Sequence, residues 1–452
     1  MSRTESSKAH EASQTSPHQT STALLTDQYE LTMLQAALHS GAARRRAVFE
    51  VFARHLPHGR RYGVVAGTGR LLDALERFRF GAAELGFLRA AGVVNEATLD
   101  YLEDFRFTGD IWGYAEGDCY FPGSPILVVQ APFAEAVVLE TLALSILNHD
   151  CAIASAASRM VTAAGGRPLI EMGSRRTHEY AAVASARAAY IAGFDTTSNL
   201  QARQDYGVPS AGTSAHAFTL LHDSERHAFT AQLESLGNAT TLLVDTFEVA
   251  RAVRTAVELA GGELGAVRID SGDLPSVARQ VRTLLDELGA AKTRIVLTGD
   301  LDEYSIAALG AVPVDGYGVG TALVTGSGAP TAALVYKLVA RADTEAAGAA
   351  LRPMAKRSVG KPGRGGRKWA VRHRDDRGTA LTELITLAEP DLGPHDRPLL
   401  HPLVRGGEIV GRRSTQAARE HHRRSLAELP AHARQLSRGY PAIATVFQPD
   451  GD

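Results

Sequence analysis

The chain has 452 residues, enough for two or more domains and a large core, with 44% apolar and 22% charged residues. A formal charge of −2 gives no global case for a nucleic-acid partner, and no apolar run reaches the ~18 residues of a membrane span. The two cysteines, Cys119 and Cys151, form neither a metal pattern nor a disulfide framework, which fits a reducing cytosol and a cytoplasmic protein.

Residues 1–22 are rich in Ser, Thr, His and Gln and read as a disordered tail. Order begins near Ala23. Leu24 to Met33 leads into a helix that Thr26 or Asp27 can cap, and Tyr29 in it is either packing or an aromatic face offered to a ring. Ala47 to Ala53 alternates as a strand. Gly67-Thr68-Gly69 is a lone Gly-x-Gly that does not fit a dinucleotide fingerprint. Short strands fill Gly109 to Gln130, and Pro132 to Asn148 is a long helix, so residues 23–150 read as an α+β domain.

From about residue 160 strands and helices alternate. Strands are expected at Pro168–Glu171, Gly193–Asp195, Thr241–Asp245, Ala266–Asp270, Arg294–Leu297 and Gly316–Gly320, with helices between them. Repeated strand–helix units imply a parallel sheet with right-handed crossovers, and six or seven suit an α/β barrel over residues 151–340 better than an open sheet. Residues 341–452 add a basic, Gly-rich run, 352–374, then a strand at Trp369, short strands near Leu399 and Glu408, and a charged helix from Ser414. This segment is too small and polar for its own core, so it should pack on the N-terminal domain.

Catalytic groups of such barrels sit at the C-terminal ends of the strands, and polar residues cluster there in this chain. His216 follows the small residues Gly212, Thr213, Ser214 and Ala215, which let backbone approach a ligand. Asp245 is placed to accept its second N–H and fix the tautomer. Arg268 and Asp270 share one face of a strand, and Asp273 follows in the loop. The arginine suits a carboxylate or phosphate; the two aspartates suit Mg²⁺ or sugar hydroxyls, or form a plain ion pair with it. Gly318-Val319-Gly320-Thr321 can cradle a phosphate, and Arg175 with Arg176 offers two cations at another strand end. The basic run 352–374, with few aromatics, is a solvated loop or a lid over a polyanion and a poor fit to nucleic acid. Together these groups suit transfer of a phosphorylated sugar to an aromatic acid.

The segments TDQYELTM, EMGSRRTHEY, GFDTTSN, GTSAHAF, LLVDTF, VRIDSGD, TGDLDEY, DGYGVGT and YKLV occur in order from Thr26 to about Gly363. In this the chain resembles the nicotinate phosphoribosyltransferase family. The resemblance implies a defective α/β barrel beside an α+β domain built from both chain ends, and a homodimer. It implies nicotinate, phosphoribosyl pyrophosphate and ATP as substrates, with Mg²⁺, and a phosphohistidine at His216 partnered by Asp245. Tyr29, Arg175, Ser198, Thr213 and Arg268 match residues at nicotinate, with serine at 198 favouring the acid over the amide. Asp270, Gly299 and Asp300 match the ribose and metal region, and Gly318, Gly320 and Thr321 the 5′-phosphate loop. The chain departs from the family's pattern at Thr177-His178, at Thr196-Thr197 and in segment 352–374. A nicotinamide or quinolinate phosphoribosyltransferase is the nearest alternative. A barrel lyase would need a lysine at a strand end, and a non-catalytic homologue would lose His216, Asp245 or Arg268; neither holds here.

Overall fold

The computed structural model describes residues 20–346, 348–356 and 364–448. The tail residues 1–19 and the cations Arg357 and Lys361 lie outside them. The described chain folds around two hydrophobic cores joined by one helix.

The first core lies against a seven-stranded sheet ordered Leu351–Pro353, Leu334–Ala342, Arg46–Ala53, Leu127–Pro132, Asp110–Gly113, His401–Arg405 and Glu408–Ile409. Both ends of the chain feed this sheet: Arg46–Ala53 pairs antiparallel with Leu334–Ala342, and Asp110–Gly113 with His401–Arg405. The second core fills a six-stranded parallel sheet ordered Thr196–Thr197, Leu169–Glu171, Gly316–Val319, Arg294–Leu297, Ala266–Ile269 and Thr241–Leu243. The last of these strands in the chain pairs with the first, which curls the sheet into a barrel. Between Thr196–Thr197 and Thr241–Leu243 no pairing is made, so the barrel is open there. The chain from 198 to 240, including His216, occupies that break in sequence. This is the defective α/β barrel with a second, α+β domain.

The joining helix differs from its expected form. It starts after a break at Val138–Leu139 and runs unbroken from Glu140 to Ala164, through residue 150. Leu142, Ile146 and Cys151 enter the first core, and Ile153, Ala157 and Met160 the second. With the preceding turn it is long and apolar enough to cross a membrane, but most of it is buried in protein. The strand expected at Gly193–Asp195 is instead the end of helix Glu179–Ile191. Gly193 takes φ +118°, and the N–H groups of Gly193 and Phe194 close on the carbonyls of Tyr190 and Ala189, a left-handed cap that glycine permits. The strand itself is Thr196–Thr197.

The C-terminal segment packs on the first core as expected, through Leu399, Leu400, Leu403 and Val404, but it does more. It forms a four-stranded sheet of its own, Asp396–Pro398, Trp369–Arg374, Ala380–Thr386 and Ala444–Gln448, and lends Leu429, Ala433, Ala442 and Ile443 to the barrel core. Buried charges tie it down. Arg372, fully buried, donates to Glu383, to the Cys119 carbonyl at 2.6 Å and to Asp118. Arg397 grips Asp118 with two nitrogens at 2.9 and 3.0 Å. Burial alone would raise the Asp118 carboxyl, but Arg397, His421 and Arg372 outweigh it and hold it well below the usual range. Its depressed value means that this stabilisation is present above the ordinary aspartate range, near pH ~3.9, and is lost as pH falls toward the folded value. Asp118→Ala removes the carboxylate shared by two arginines, leaving Arg372 with Glu383 and Arg397 with Glu428. It is expected to cost about 3–5 kcal/mol in urea unfolding at neutral pH, with a smaller further loss on acidification than the wild type shows.

The Gly67-Thr68-Gly69 turn also has a structural use. The N–H groups of Gly67 and Gly69 donate to the buried Glu116, which takes both terminal nitrogens of Arg187 at 2.6 and 2.7 Å. The turn thus binds an internal carboxylate and links the two domains.

Candidate active site

Because all six barrel strands are parallel, their C-terminal ends form one rim. The loops after them carry Gly173–Arg176, Ser198-Asn199, Asp245-Thr246, Asp270–Asp273, Gly299-Asp300 and Gly320-Thr321.

His216 opens the short helix His216–Leu221, after Ala215 in extended backbone. Its side chain is 40% exposed. Nδ1 lies 3.1 Å from the Thr246 hydroxyl. Nε2 faces two carboxylates, Asp245 Oδ1 at 3.9 Å and Asp270 Oδ2 at 4.0 Å. The expected hydrogen bond from His216 to Asp245 is therefore not made, since 3.9 Å is beyond bonding range. Asp245 is committed elsewhere: Oδ2 accepts from the Asp270 N–H at 2.9 Å and the Ser271 hydroxyl at 2.6 Å. Its Oδ1, on a side chain only 2% exposed, has no partner and points across the gap to the imidazole.

Arg268 lies on the neighbouring strand. Its guanidinium is 15% exposed, reaches the Ser214 carbonyl at 3.4 Å, and stands 3.9 Å from Asp270 Oδ1. Its buried Nε has no partner. A buried guanidinium with unused donors is a site for an anion, because leaving such donors unpaired is costly. Arg268, the Gly212–Ala215 turn and His216 are thus brought together.

Asp270 accepts the Thr298 hydroxyl on Oδ1. Gly299 beside it takes φ +106°, and a Cβ there would sit 2.5 Å from the Asp270 carbonyl, so only glycine fits. Asp300 is exposed with φ +35°. Asp273 does not join Asp270 as a second open carboxylate. It is the N-cap of helix Leu274–Glu287, accepting from the Ser276 N–H at 2.9 Å. Among the described residues no three His, Cys, Asp or Glu side chains converge as a metal site.

The glycine loop divides into two roles. Gly318 is buried within its strand, where a Cβ would meet Thr298 and Met172 at 2.5 and 2.7 Å; it serves close packing. Gly320 and the exposed Thr321 lie at the start of the short helix Thr321–Val324 and face the rim. Arg175 and Arg176 are exposed. Ser198 donates its N–H to the Glu171 carbonyl at 2.8 Å, and Thr213 is exposed beside Arg268's partner Ser214.

Tyr29 stands apart. It is exposed on helix Gln28–His39 of the α+β domain, whose contacts are with other elements of that domain. Burial and the neighbouring Glu140, Glu30 and Asp27 push its hydroxyl up to about 12. Thr246, Thr298 and Ser271 hold His216, Asp270 and Asp245 respectively and were not singled out in the sequence. Each adjoins a residue that was, and only the side-chain directions reveal them.

Residues 24–148 match the family profile described as the nicotinate phosphoribosyltransferase N-terminal domain. The chain is 60% identical over 432 residues to nicotinate phosphoribosyltransferase pncB1 of Mycobacterium tuberculosis, covering 93% of this chain and 94% of that protein. It is 37% identical over 330 residues to the Bacillus subtilis nicotinate phosphoribosyltransferase, covering 71% and 67%. The crystal structure of human nicotinic acid phosphoribosyltransferase superposes with a TM-score of 0.80 at 26% identity, covering 94% of this chain and 97% of that one. Rim, fold and likeness agree along nearly the whole length, and the chain belongs to the nicotinate phosphoribosyltransferase family.

Proposed function

We propose that this protein joins nicotinate to phosphoribosyl pyrophosphate, giving nicotinate mononucleotide and pyrophosphate, the entry of nicotinate into NAD synthesis. The observation that carries the reading is Arg268, a mostly buried guanidinium with a free Nε, beside His216 and the small-residue turn. Arg268 would take the nicotinate carboxylate. Ser198 in place of a carboxylate removes a repulsion toward that acid. The pyridine nitrogen then attacks C1 of the ribose as pyrophosphate leaves, and positioned cations such as Arg175 stabilise the departing charge. Gly320 and Thr321 would meet the 5′-phosphate, and Asp270 with the Gly299-Asp300 turn the ribose hydroxyls.

Magnesium fits this rim through the substrate. Mg²⁺ commonly binds one or two carboxylates plus substrate phosphates, and Asp270, with one oxygen uncommitted, would be its protein anchor. Such an ion would supply charge stabilisation to the diphosphate. ATP hydrolysis is coupled through phosphorylation of His216, whose ring lies between Thr246 and two carboxylates. The protein works as a cytoplasmic homodimer. Support comes from exposed Tyr29, Leu24, Leu25 and Met33 on the α+β domain and exposed Leu220, Leu221 and Phe247 near the rim. A tyrosine helix laid across the partner's rim would bring Tyr29 to the pyridine ring.

One assay tests the substrate. With nicotinate or nicotinamide, each with and without ATP, mononucleotide forms from nicotinate and its yield rises with ATP. Product only from nicotinamide, or from quinolinate, would replace this reading with the sibling activity.

A further inference from the structure

The strand Leu169–Glu171 ends in a carboxylate that is fully buried and makes no ion pair among the described residues. Burial pushes the Glu171 carboxyl above its usual range, against the hydrogen bonds of Thr197 and Gly173. An unpaired buried carboxyl is costly, so its partners matter. Oε1 accepts the Gly173 N–H at 2.5 Å, and Oε2 accepts the Thr197 hydroxyl. The Glu171 carbonyl accepts the Ser198 N–H at 2.8 Å. Thr197 Oγ1 in turn accepts the Asn199 N–H at 3.0 Å, and Asn199 Nδ2 reaches Ser174 Oγ at 3.0 Å. Gly173 has no room for a side chain, since a Cβ would lie 2.1 Å from Val324 Cγ1 on the helix that Gly320 opens.

One carboxylate therefore ties together the loop bearing Arg175 and Arg176 and the loop bearing Ser198, with the phosphate turn packed against the first. We propose that Glu171 is a positioning residue, setting the register between the groups that meet pyrophosphate and the group that meets the pyridine ring. This rests on the functional reading above. A carboxylate is required because Gly173 can only donate and Thr197 uses its proton on Glu171 while accepting from Asn199. Glutamine supplies one acceptor and one donor, so one of the two ties weakens.

The test is steady-state kinetics on Glu171→Gln and Glu171→Ala with both substrates varied, beside thermal melting. A shift of about 1 Å in a reacting group can cost 10²-fold. On that scale kcat/KM should fall about tenfold in Glu171→Gln and ~10²-fold in Glu171→Ala, for nicotinate and phosphoribosyl pyrophosphate alike. In the wild type the effects of Arg175→Ala and Ser198→Ala should be non-additive, and in Glu171→Gln they should add. A folded Glu171→Gln with wild-type kcat/KM overturns the proposal, and so does a loss that vanishes well below the melting temperature. If Glu171→Ala does not fold, the glutamine variant decides alone. A wild type inactive on nicotinate overturns the underlying reading before any variant is made.

Discussion

Replacing His216 with alanine is expected to abolish transfer of labelled phosphate from ATP to the protein and to leave nicotinate mononucleotide formation indifferent to ATP. The imidazole sits at the start of a helix, 40% exposed, with Thr246 at one nitrogen and the uncommitted Asp245 Oδ1 across a 3.9 Å gap from the other. That gap leaves Nε2 without a hydrogen-bond partner among the described residues, free to attack a phosphoryl group. A coupling between two ligands is commonly worth 5- to 150-fold, so ATP stimulation of that order should collapse to none. The variant should keep a basal rate, because Arg268 and the phosphate turn are untouched. Label on the protein should be acid-labile and alkali-stable in the wild type; its persistence in His216→Ala would place the phosphate elsewhere.

Arg268→Met should separate the acid from the amide. In the wild type the guanidinium is mostly buried, donates to the Ser214 carbonyl at 3.4 Å and stands 3.9 Å from Asp270 Oδ1. Losing one side of a buried charged pair costs 2–5 kcal/mol, and 1.4 kcal/mol is a factor of ten. The loss in kcat/KM for nicotinate should thus be about 10²-fold or more, with a much smaller change for nicotinamide, which brings no carboxylate. Equal losses with both would mean that Arg268 holds the sugar phosphate or the fold. Measuring KM and kcat separately for the two ring substrates settles this.

The barrel was legible in the chain because its strands are short apolar runs that end in charged residues, a pattern set by burial on both faces. The rim was legible for the same reason: Arg268, Asp270 and Gly320 stand where such strands stop. What stayed hidden depends on contacts between distant residues. Asp273 looks like a second carboxylate beside Asp270, yet the helix after it claims its oxygen as a cap. Asp245 looks like the histidine's partner, yet the backbone of Asp270 and the Ser271 hydroxyl take it first. Gly193–Asp195 has strand-like residues, but the glycine ends a helix. The C-terminal segment looked coreless because its apolar residues are few and scattered. They are shared between the two cores, and its buried charges, Arg372 above all, have partners more than 250 residues away along the chain, such as Asp118.

The break in the barrel leaves two sheet edges, and an unpaired edge is a template on which another chain can grow. Here the edges without a partner strand are two residues long, Thr196–Thr197, and three residues long, Thr241–Leu243, and mostly buried. Strands so short offer too few free N–H and C=O groups to seed a foreign strand, and one of them is already met by Ser210 in a single bridge. An enzyme that keeps its catalytic loop in an open seam therefore avoids the aggregation hazard of that seam by keeping it brief. Lengthening either edge with β-branched residues would trade solubility for closure.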